Sequence, residues 1–371
     1  MLGKREDMVV HEAEPYNAEP TRAALAESAR TGSGLTSVPT FYTRNHGPIP
    51  ELEPQRWSLR VEGLVDAPLV LGLAELQEYP QVTVVVTLQC AGNRRQGLIE
   101  VRDIPGEDPW GPGATSTAEW TGVRLSDVLS SAGLRAGGAH VAFAAPDFSE
   151  IAEPAQTYGS SIPLSKALAG DVLLAWQMNG DPLTPPHGAP VRVVVPGYIG
   201  ARSVKWVERI TVQSEPSSNF FQETAYRLLP PEGSPGPGLG VSLGPIALNS
   251  EILVPDDGHR LLAGRTVVSG YALAGGDREV SRVDVSGDGG ATWQQAQLGT
   301  RLGPWAWTLW SADVELAAGE AEIVARAWDT AAALQPERPE SLWNPKGYVN
   351  NSWPRVRVHV VEPAATDQVA P

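Results

Sequence analysis

A stretch rich in proline and glycine most constrains how this chain can fold. Residues 230–238 spell PPEGSPGPG. Neither a helix nor a central strand runs through such a sequence, because proline lacks a backbone donor and glycine weakens both elements. At 371 residues the chain is long enough for two domains with separate cores. We therefore expect an N-terminal arm at 1–35, a first domain at 36–229, a linker at 230–240 and a second domain at 241–371.

Short β-type segments and one clear helix characterise the predicted first domain. Residues 57–65 alternate apolar and polar side chains, whereas residues 81–89 and 191–196 are β-branched runs suited to buried strands. Residues 204–212 alternate as a strand does, and residues 125–132 have the spacing of an amphipathic helix. This mixture predicts an α+β fold for the first domain.

The predicted second domain consists of short β-type segments separated by glycine. They are residues 265–272, 279–285, 292–297, 305–310 and 322–328. Such spacing is typical of a β-sandwich, so we expect this domain to be all-β. Its tryptophans are expected in the sandwich core or at an interface rather than around a cofactor. They are Trp293, Trp305, Trp307, Trp310 and Trp328.

The net charge of −15 limits the partners of the chain. Nucleic acid and anionic membrane surfaces would both be repelled, so we expect neither as a partner. The first thirty residues lack an apolar run, and no segment has the ~18 to 20 apolar residues of a membrane span. We therefore expect a cytoplasmic location. An anionic substrate would need a local cluster of arginine and lysine set against the overall charge.

The single cysteine of the chain lies in its most distinctive segment. Residues 87–95 spell TLQCAGNRR, so Cys90 ends a predicted buried strand and is followed by small residues and by Arg94 and Arg95. One cysteine cannot form a disulfide within the chain. Cys90 is either a small core residue or a functional thiol. The paired arginines favour the functional thiol, because they stabilise a thiolate and offer planar donors to an oxyanion.

The segment around Cys90 resembles the cysteine-ligand segment of the sulfite oxidase family, of the haem-free plant and bacterial type. Further blocks occur in the family's order and extend the resemblance over about residues 40 to 360. They are FYTRNH at 41–46, TYGSSIP at 157–163, HGAPVRVVVPG at 187–197, RSVKW at 202–206 and WNPKG at 343–347. Each block alone is a weak signal, but the ordered set is a strong one.

The resemblance implies a mixed α/β molybdopterin-binding catalytic domain followed by an immunoglobulin-like β-sandwich dimerisation domain, and hence a homodimer. It also implies a molybdenum–molybdopterin cofactor whose metal is held by the two sulfurs of the pterin and by Cys90. A soft thiolate suits such a metal. No Cys-x-x-Cys-His haem attachment, flavin fingerprint or iron–sulfur spacing is present in the sequence, so we expect no haem.

The family's cofactor-binding positions carry over to eleven residues of this chain. They are Tyr42, Thr43, Arg44, Asn45, His46, Asp147, His187, Arg192, Ser203, Val204 and Lys205. Arg192 and Lys205 can pair with a phosphate, and backbone N–H groups can cradle it. Taken alone, His46 could instead cap a turn and Arg192 could be a charge on an edge strand.

The family's substrate pocket carries over to Arg44, Arg95, Trp110, Tyr158 and Lys346. Arginine forks, a phenol and an indole N–H form a plausible cage for a small oxyanion. Two features depart from the family pattern. Lysine stands at 346 where animal members have arginine, which keeps the charge and loses the planar fork. The spacing before Trp110 is loosened around residues 104–109, so Trp110 matches the family pattern less closely than the other four residues.

The resemblance implies oxidation of sulfite to sulfate by oxygen-atom transfer. The electrons would pass to an external acceptor, which is a cytochrome, another small redox protein or dioxygen. One alternative is a related molybdopterin enzyme that reduces oxidised sulfur compounds such as sulfoxides. Another is a protein that holds the cofactor without turnover. Tyr158 and the paired arginines favour sulfite oxidation.

Overall fold

Strands outnumber helices in the computed structural model, which describes residues 2–30 and 32–363. Residues 364–371 of the predicted second domain, and residues 1 and 31 of the predicted arm, lie outside the described residues. Within the described ranges the helices are short: α1 (Arg22–Arg30), α2 (Leu73–Gln77), α3 (Gln96–Ile99), α4 (Leu125–Ala132) and α5 (Leu164–Ala167). Single turns of other helix types are formed by Pro185–His187, Gly200–Arg202, Phe221–Ala225 and Pro339–Leu342.

The strands fall into two groups along the chain. The first group is β1 (Val9–Ala13), β2 (Tyr16–Glu19), β3 (Ser58–Gly63), β4 (Leu69–Gly72), β5 (Gln81–Gln89), β6 (Thr115–Arg124), β7 (His140–Ser149), β8 (Gln156–Pro163), β9 (Leu173–Met178), β10 (Asp181–Pro182), β11 (Arg192–Val194), β12 (Arg209–Gln213) and β13 (Arg227–Leu228). The second is β14 (Val241–Ser242), β15 (Asn249–Val254), β16 (Arg260–Leu262), β17 (Gly264–Leu273), β18 (Val280–Ser286), β19 (Gln294–Gln295), β20 (Gln297–Leu298), β21 (Thr308–Leu316), β22 (Gly319–Asp329) and β23 (Arg355–Val361).

Two five-stranded sheets form the body of the first domain. One has the order β10-β9-β6-β5, with β11 also paired to β9, and the other has the order β4-β3-β12-β7-β8. The helix predicted at 125–132 is confirmed as α4, whose Leu125, Val128 and Leu129 are buried because they recur at helical spacing. These leucines and valines join side chains of both sheets in one core. The domain is therefore a mixed fold that is mostly strand.

Two sheets with a shared core form the second domain. Their orders are β15-β17-β21-β20 and β16-β23-β22-β18-β19, with β16 parallel to its neighbour. Val268 and Trp310 from one sheet pack into the same cluster as Val285, Ile323 and Val358 from the other. Buried and exposed side chains alternate along these strands, and this alternation accounts for the predicted all-β character.

The predicted linker bridges a small hairpin and does not separate the domains widely. β13 pairs with β14 on either side of it, so its two ends lie close together. The domains also touch directly, because Trp307 donates its backbone N–H to Thr87 Oγ1 at 2.8 Å and its indole N–H to the Gly34 carbonyl at 2.9 Å. Trp307 therefore lies at an interface and Trp310 in the sandwich core, the two environments expected of these tryptophans.

The N-terminal segment connects the two domains. Leu25 of α1 is fully buried in the first-domain core, and Arg22 pairs with Glu251 of β15 at 3.3 Å. The Glu19 carboxylate accepts hydrogen bonds from the backbone N–H groups of Gly111 and Gly113 at 2.6 and 2.8 Å. These contacts fix the loop that precedes β6, close to the cysteine segment.

The prediction of a strand over 204–212 is wrong in its first half. β12 begins only at Arg209, because Trp206 adopts a φ of 52°, a left-handed conformation foreign to strands. The chain bends here and presents Ser203 and Lys205 to a cavity. Across the described ranges, no helix combines the length and apolar character that crossing a bilayer requires.

Candidate functional site

Cys90 lies where β5 ends, and its thiol faces a cavity between loops of the two sheets. Its backbone N–H donates to the Ala114 carbonyl of the neighbouring segment at 2.9 Å, which fixes the turn that follows. The thiol is buried, and its Sγ accepts one backbone N–H, from Gly92 at 3.4 Å. A Cβ at Gly92 would come within 2.5 Å of the Arg95 guanidinium. Glycine is therefore needed for Arg95 to pack beside the cysteine.

The cavity brings together thirteen of the predicted site residues. They are Tyr42, Thr43, Arg44, Asn45, His46, Cys90, Asp147, Tyr158, His187, Arg192, Ser203, Val204 and Lys205. They come from the loop before β3 and from the ends of β5, β7, β8 and β11, so segments far apart in the chain converge on the thiol. Arg95, Trp110 and Lys346 are not in that lining and are described separately below.

One end of the cavity carries cations that make no direct ion pair with a carboxylate within the described ranges, although Asp147 acts on Lys205 at longer range. Arg192 donates to the His187 and Ser203 carbonyls at 3.1 and 3.0 Å, and Lys205 donates to the Pro186 carbonyl at 3.1 Å. Lys4 of the N-terminal segment does not line the cavity but contacts one of its lining residues, His187, at Nε2 over 2.5 Å. Within the described part of the chain, none of these three cations has a carboxylate oxygen within 4 Å. We call Lys4, Arg192 and Lys205 the deep cations.

Burial lowers the pKa of each deep cation. Desolvation brings the pKa of Arg192 to about 10 and that of Lys4 to about 7. Desolvation, together with repulsion from Arg192, holds the pKa of Lys205 well below its usual value. The neighbouring cations and burial likewise keep the pKa of His187 low, so its ring is neutral. Such an arrangement is stabilised by an incoming anion.

Polar atoms near the deep cations lack partners in the protein. Thr43 Oγ1 and Asp147 Oδ1 are buried and have no hydrogen-bond partner among the described residues. Burial raises the pKa of Asp147 to about 7, and Lys205 opposes the shift. At Gly200 a Cβ would come within 2.6 Å of Tyr42 Oη, so the absence of a side chain lets this phenol pack against the backbone there. These open donors and acceptors fit the polar heterocycle and phosphate of a pterin cofactor.

The Cys90 thiol could complete such a site as a metal ligand. Burial raises its pKa, while Arg95 and Arg44 oppose the rise. A bound metal ion would displace the proton. Within the described ranges, no group of three His, Cys, Asp or Glu residues converges to hold an ion. A metal at Cys90 would therefore take most of its ligands from a cofactor.

An aromatic cluster borders the cavity beside the thiol. His46 stacks on Tyr158 with ring centroids 4.7 Å apart, and its Nε2 contacts Tyr226 Oη at 2.6 Å. Burial lowers the pKa of His46 and raises the pKa values of both phenols. At neutral pH the phenols are therefore donors; Tyr158 donates to the Ala201 carbonyl at 2.8 Å.

The sequence analysis missed Tyr226 as a lining residue. Tyr226 follows the helical turn Phe221–Ala225, in a segment without strand or helix periodicity. The one available signal was its aromatic type among polar neighbours, which does not distinguish a cavity residue from a core residue.

A second group of cations lies next to Cys90, and carboxylates neutralise it. Arg95 Nη2 pairs with Glu107 Oε2 at 3.1 Å, and Lys346 Nζ pairs with the other oxygen of the same carboxylate. Arg44 Nε lies 3.8 Å from Asp108 Oδ2. We call Arg44, Arg95 and Lys346 the paired cations. Three of the predicted substrate-pocket residues are thus close together, but each has an internal anion.

Lys346 belongs to a loop of the second domain that packs on the first domain of the same chain. Its carbonyl accepts from Arg95 Nε at 3.0 Å, and Val349 N–H donates to the Ala91 carbonyl at 2.9 Å. Both Val349 (φ 60°) and Arg94 (φ 64°) adopt left-handed conformations. For the β-branched Val349 this is an uncommon strain, of the kind found at functional sites.

Trp110, the remaining predicted pocket residue, is fully buried. Its ring meets His11 edge-on with centroids 4.6 Å apart. The indole N–H has no hydrogen-bond partner among the described residues. The backbone N–H of Trp110 donates to the Asp108 carbonyl at 2.8 Å, which ties this residue to the loop whose carboxylates contact the paired cations; its role toward a substrate stays a prediction.

The fold and this cavity define the class of the protein, whose two domains are those of the molybdopterin oxidoreductases. Residues 46–221 match the family model "Oxidoreductase molybdopterin binding domain", and residues 244–361 match the "Mo-co oxidoreductase dimerisation domain". The two matches fall on either side of the β13–β14 hairpin.

The chain belongs to the sulfite oxidase family. It is 39% identical to sulfite oxidase of Arabidopsis thaliana, across 94% of this chain and 92% of the plant protein. It is 42% identical to mitochondrial sulfite oxidase of Rattus norvegicus, across 95% of this chain, and spans 65% of that protein's length. It also resembles the structure of the sulfane dehydrogenase SoxCD from Paracoccus pantotrophus, with a TM-score of 0.74 at 29% identity over 86% of this chain and 79% of that one.

Proposed function

We propose that the protein oxidises sulfite to sulfate with a molybdenum–molybdopterin cofactor. Sulfite and water would yield sulfate, two protons and two electrons, and the electrons would pass to an external acceptor. The observation that carries the proposal is the position of Cys90, whose thiol faces a cavity with uncompensated cations at one end and lies beside a second cation cluster. The relatives named sulfite oxidase support it.

The chain's own residues would divide the work between holding the cofactor and holding the substrate. The deep cations Arg192 and Lys205 would bind the cofactor phosphate, and Cys90 would bind the metal. The other predicted cofactor ligands would contact the pterin: Tyr42, Thr43, Arg44, Asn45, His46, Asp147, His187, Ser203 and Val204. When bound, the cofactor supplies oxygen-atom transfer and takes up the two electrons.

The paired cations would orient the sulfite oxyanion next to the metal. Arginine forks bind oxyanions through paired N–H donors. The Tyr158 phenol has one O–H, which donates to the Ala201 carbonyl in this structure; it would turn that donor to the bound oxyanion instead. Because its pKa is raised by burial, Tyr158 keeps its proton throughout the neutral range. Trp110 would close the floor of this subsite, and Lys346 would bring its charge from the second domain.

We infer an immunoglobulin-like topology for the second domain. With β15 taken as strand A, one sheet has the order A-B-E-D and the other contains G-F-C, which is the arrangement of immunoglobulin domains. The description of the matching family model as a dimerisation domain supports a homodimer. The domain boundaries at 36–229, 230–240 and 241–371 stay predictions that limited proteolysis would test.

The external acceptor, the expected lack of haem and the cytoplasmic location also stay predictions. A cytochrome, another small redox protein and dioxygen are the candidate acceptors. The visible absorption spectrum of the purified protein tests for haem, and fractionation of the source cells tests the location.

Metal analysis combined with a sulfite assay tests the proposal. The purified protein should contain molybdenum and oxidise sulfite with ferricyanide, and a parallel assay with dioxygen distinguishes an oxidase from a dehydrogenase. Molybdenum without sulfite turnover would overturn the proposed substrate. Protein that takes up no molybdenum from a cofactor-producing host would overturn the cofactor assignment.

A different sulfur substrate is the second candidate. The structural resemblance to a sulfane dehydrogenase favours it, and the neutralised state of the paired cations suits a substrate with less negative charge than sulfite. Reduction of a sulfoxide-type compound belongs to the same group of alternatives. An assay of the molybdenum-loaded protein with thiosulfate, sulfite and methionine sulfoxide separates them.

A further inference from the structure

We propose that Glu107 is a built-in anion that competes with the substrate for Arg95 and Lys346. This inference rests on the proposed function, because it assigns these two cations to an oxyanion. As a consequence, Glu107 lowers the affinity of the site for oxyanions. The anionic product, sulfate, can therefore leave.

The pairing geometry supports this competition. The two carboxylate oxygens of Glu107 contact different cations, Arg95 on one side and Lys346 on the other. A carboxylate presents anionic oxygens to these donors, and sulfite and sulfate present oxygens of the same kind. Side-chain exposure is only 3% for Arg95 and 13% for Glu107, so the interaction is weakly screened by solvent. An oxyanion that takes these donors must first displace the carboxylate.

The loop that carries Glu107 can release it. The segment between α3 and β6 has no regular structure around this residue, and Pro105 and Gly106 next to it are exposed. Gly106 has a φ of 78° with nothing within 4 Å of a Cβ position. Ile104 is buried and anchors one end of the segment. Glu107 can therefore swing outward while its anchor stays in place.

The charge of Glu107 determines whether its removal strengthens or weakens the binding of an oxyanion. With Glu107 in place, Arg95 and Lys346 share one negative charge. An incoming dianion must break this pairing, so its net binding free energy is the difference between its own interaction with the two cations and that of Glu107. Removing the Glu107 charge while keeping its shape should strengthen anion binding. If Glu107 only positions Arg95 and Lys346, the same change should weaken anion binding. The two roles therefore predict opposite results for one substitution.

The test uses Glu107→Gln in the cofactor-loaded protein, with sulfate as a ligand that does not turn over. Calorimetry should show sulfate binding at least about tenfold tighter, a change that corresponds to about 1.4 kcal/mol. The KM for sulfite should fall by a similar factor, while kcat stays constant or falls because product leaves more slowly. Glu107→Asp, which keeps the charge, should stay close to the parent.

Glu100→Gln is the matched control, because Glu100 is an exposed carboxylate close by in the chain; it should leave sulfate affinity unchanged. Equal or weaker sulfate binding by Glu107→Gln, with an unchanged melting temperature, would overturn the inference. The calorimetric result is independent of turnover. Tighter sulfate binding without any sulfite oxidation would therefore reject the proposed substrate while the competition by Glu107 stands.

Discussion

The deep cations and the paired cations are the same residue types in opposite electrostatic settings. Arg192 is buried and Lys4 and Lys205 are half-buried, none has a carboxylate within 4 Å among the described residues, and desolvation lowers the pKa of each. Arg95 and Lys346 instead share the carboxylate of Glu107. Folding has thus left one end of the site in deficit of negative charge and has neutralised the other.

This difference matches two kinds of ligand. A cofactor that binds once and stays can supply the missing charge permanently, so the cost of burying bare cations is recovered when it binds. A substrate and its product must both come and go, and a site with an internal anion avoids binding either too tightly. The predictions that follow test the contrast, from the largest expected effect to the smallest.

Cys90→Ser tests the proposed metal ligand, which lies between the deep cations and the paired cations. We expect a folded protein with a large loss of sulfite turnover. Substitution of a residue that only hydrogen-bonds to a metal ligand costs up to ~100-fold, and loss of the ligand itself should cost well over that. A serine oxygen is a harder ligand and alters the electronic properties of the metal. Steady-state kinetics per bound molybdenum measures the effect; turnover close to the parent's would show that Cys90 is not the ligand.

Tyr158→Phe tests the substrate region without changing its charge. Loss of one charge-assisted hydrogen bond of about 1.5 to 3 kcal/mol should lower kcat/KM by about 10²-fold or less. Molybdenum content should not change, because the ring and its stacking on His46 are retained. Kinetics identical to the parent's would reduce Tyr158 to a structural residue.

Arg192→Met tests the deep cations by separating cofactor retention from stability. The molybdenum retained after gel filtration should fall by about tenfold or more, since a charge-assisted contact to phosphate is lost. The cofactor-free variant should melt no lower than the cofactor-free parent, because an uncompensated buried cation has been removed. Arg60→Met, at an exposed position of β3, is the control. A large drop in melting temperature with full cofactor retention would contradict the assignment.

Lys346→Ala tests the paired cations from the second domain. Because Glu107 already neutralises this partly exposed lysine, the sulfite KM should rise by only about fivefold or less, and the rise should shrink at high salt. Lys346→Arg should keep or improve affinity by restoring the planar fork. An unchanged KM and unchanged sulfate inhibition at low ionic strength would remove Lys346 from the site.

The pH dependence of stability tests the deep cations in the absence of cofactor and substrate. The folded chain holds the pKa of Lys4 at about 7, against 10.5 in an exposed lysine. Between these values the unfolded chain binds the extra proton, so the free energy of unfolding of the cofactor-free protein should rise as pH increases from about 7 to about 10. Lys4→Met should flatten that rise in denaturant titrations. Parallel pH curves for parent and variant would show that Lys4 is not deprotonated on folding.

The sequence predicted elements whose signals are local. β5 spans the residues predicted for it because a β-branched run is suited to a buried strand, and α4 matches its prediction because its apolar residues recur at helical spacing. Ordered blocks identified the cavity residues, since matching segments of a family occupy matching places. The prediction over 204–212 failed because alternation cannot reveal the left-handed turn at Trp206.

What the sequence could not predict depends on contacts between distant segments. Glu107 lies in the first domain and Lys346 in the second, far apart in the sequence. Their ion pair therefore forms only when the second domain docks on the first. The loosened spacing at residues 104–109 gives no sign that the carboxylates of Asp108 and Glu107 pair with Arg44 and Arg95. Tyr226 was missed because no periodic pattern places it at the cavity.

The most direct measurement is X-ray absorption at the molybdenum edge of the parent and of Cys90→Ser. Both proteins are loaded with cofactor and matched for molybdenum content. The parent should show sulfur ligands from the pterin and from Cys90, and the variant should lose one short molybdenum–sulfur contact and gain an oxygen or nitrogen in its place. Identical sulfur coordination in the two proteins would contradict the claim that the thiol of Cys90 joins the cofactor to the chain.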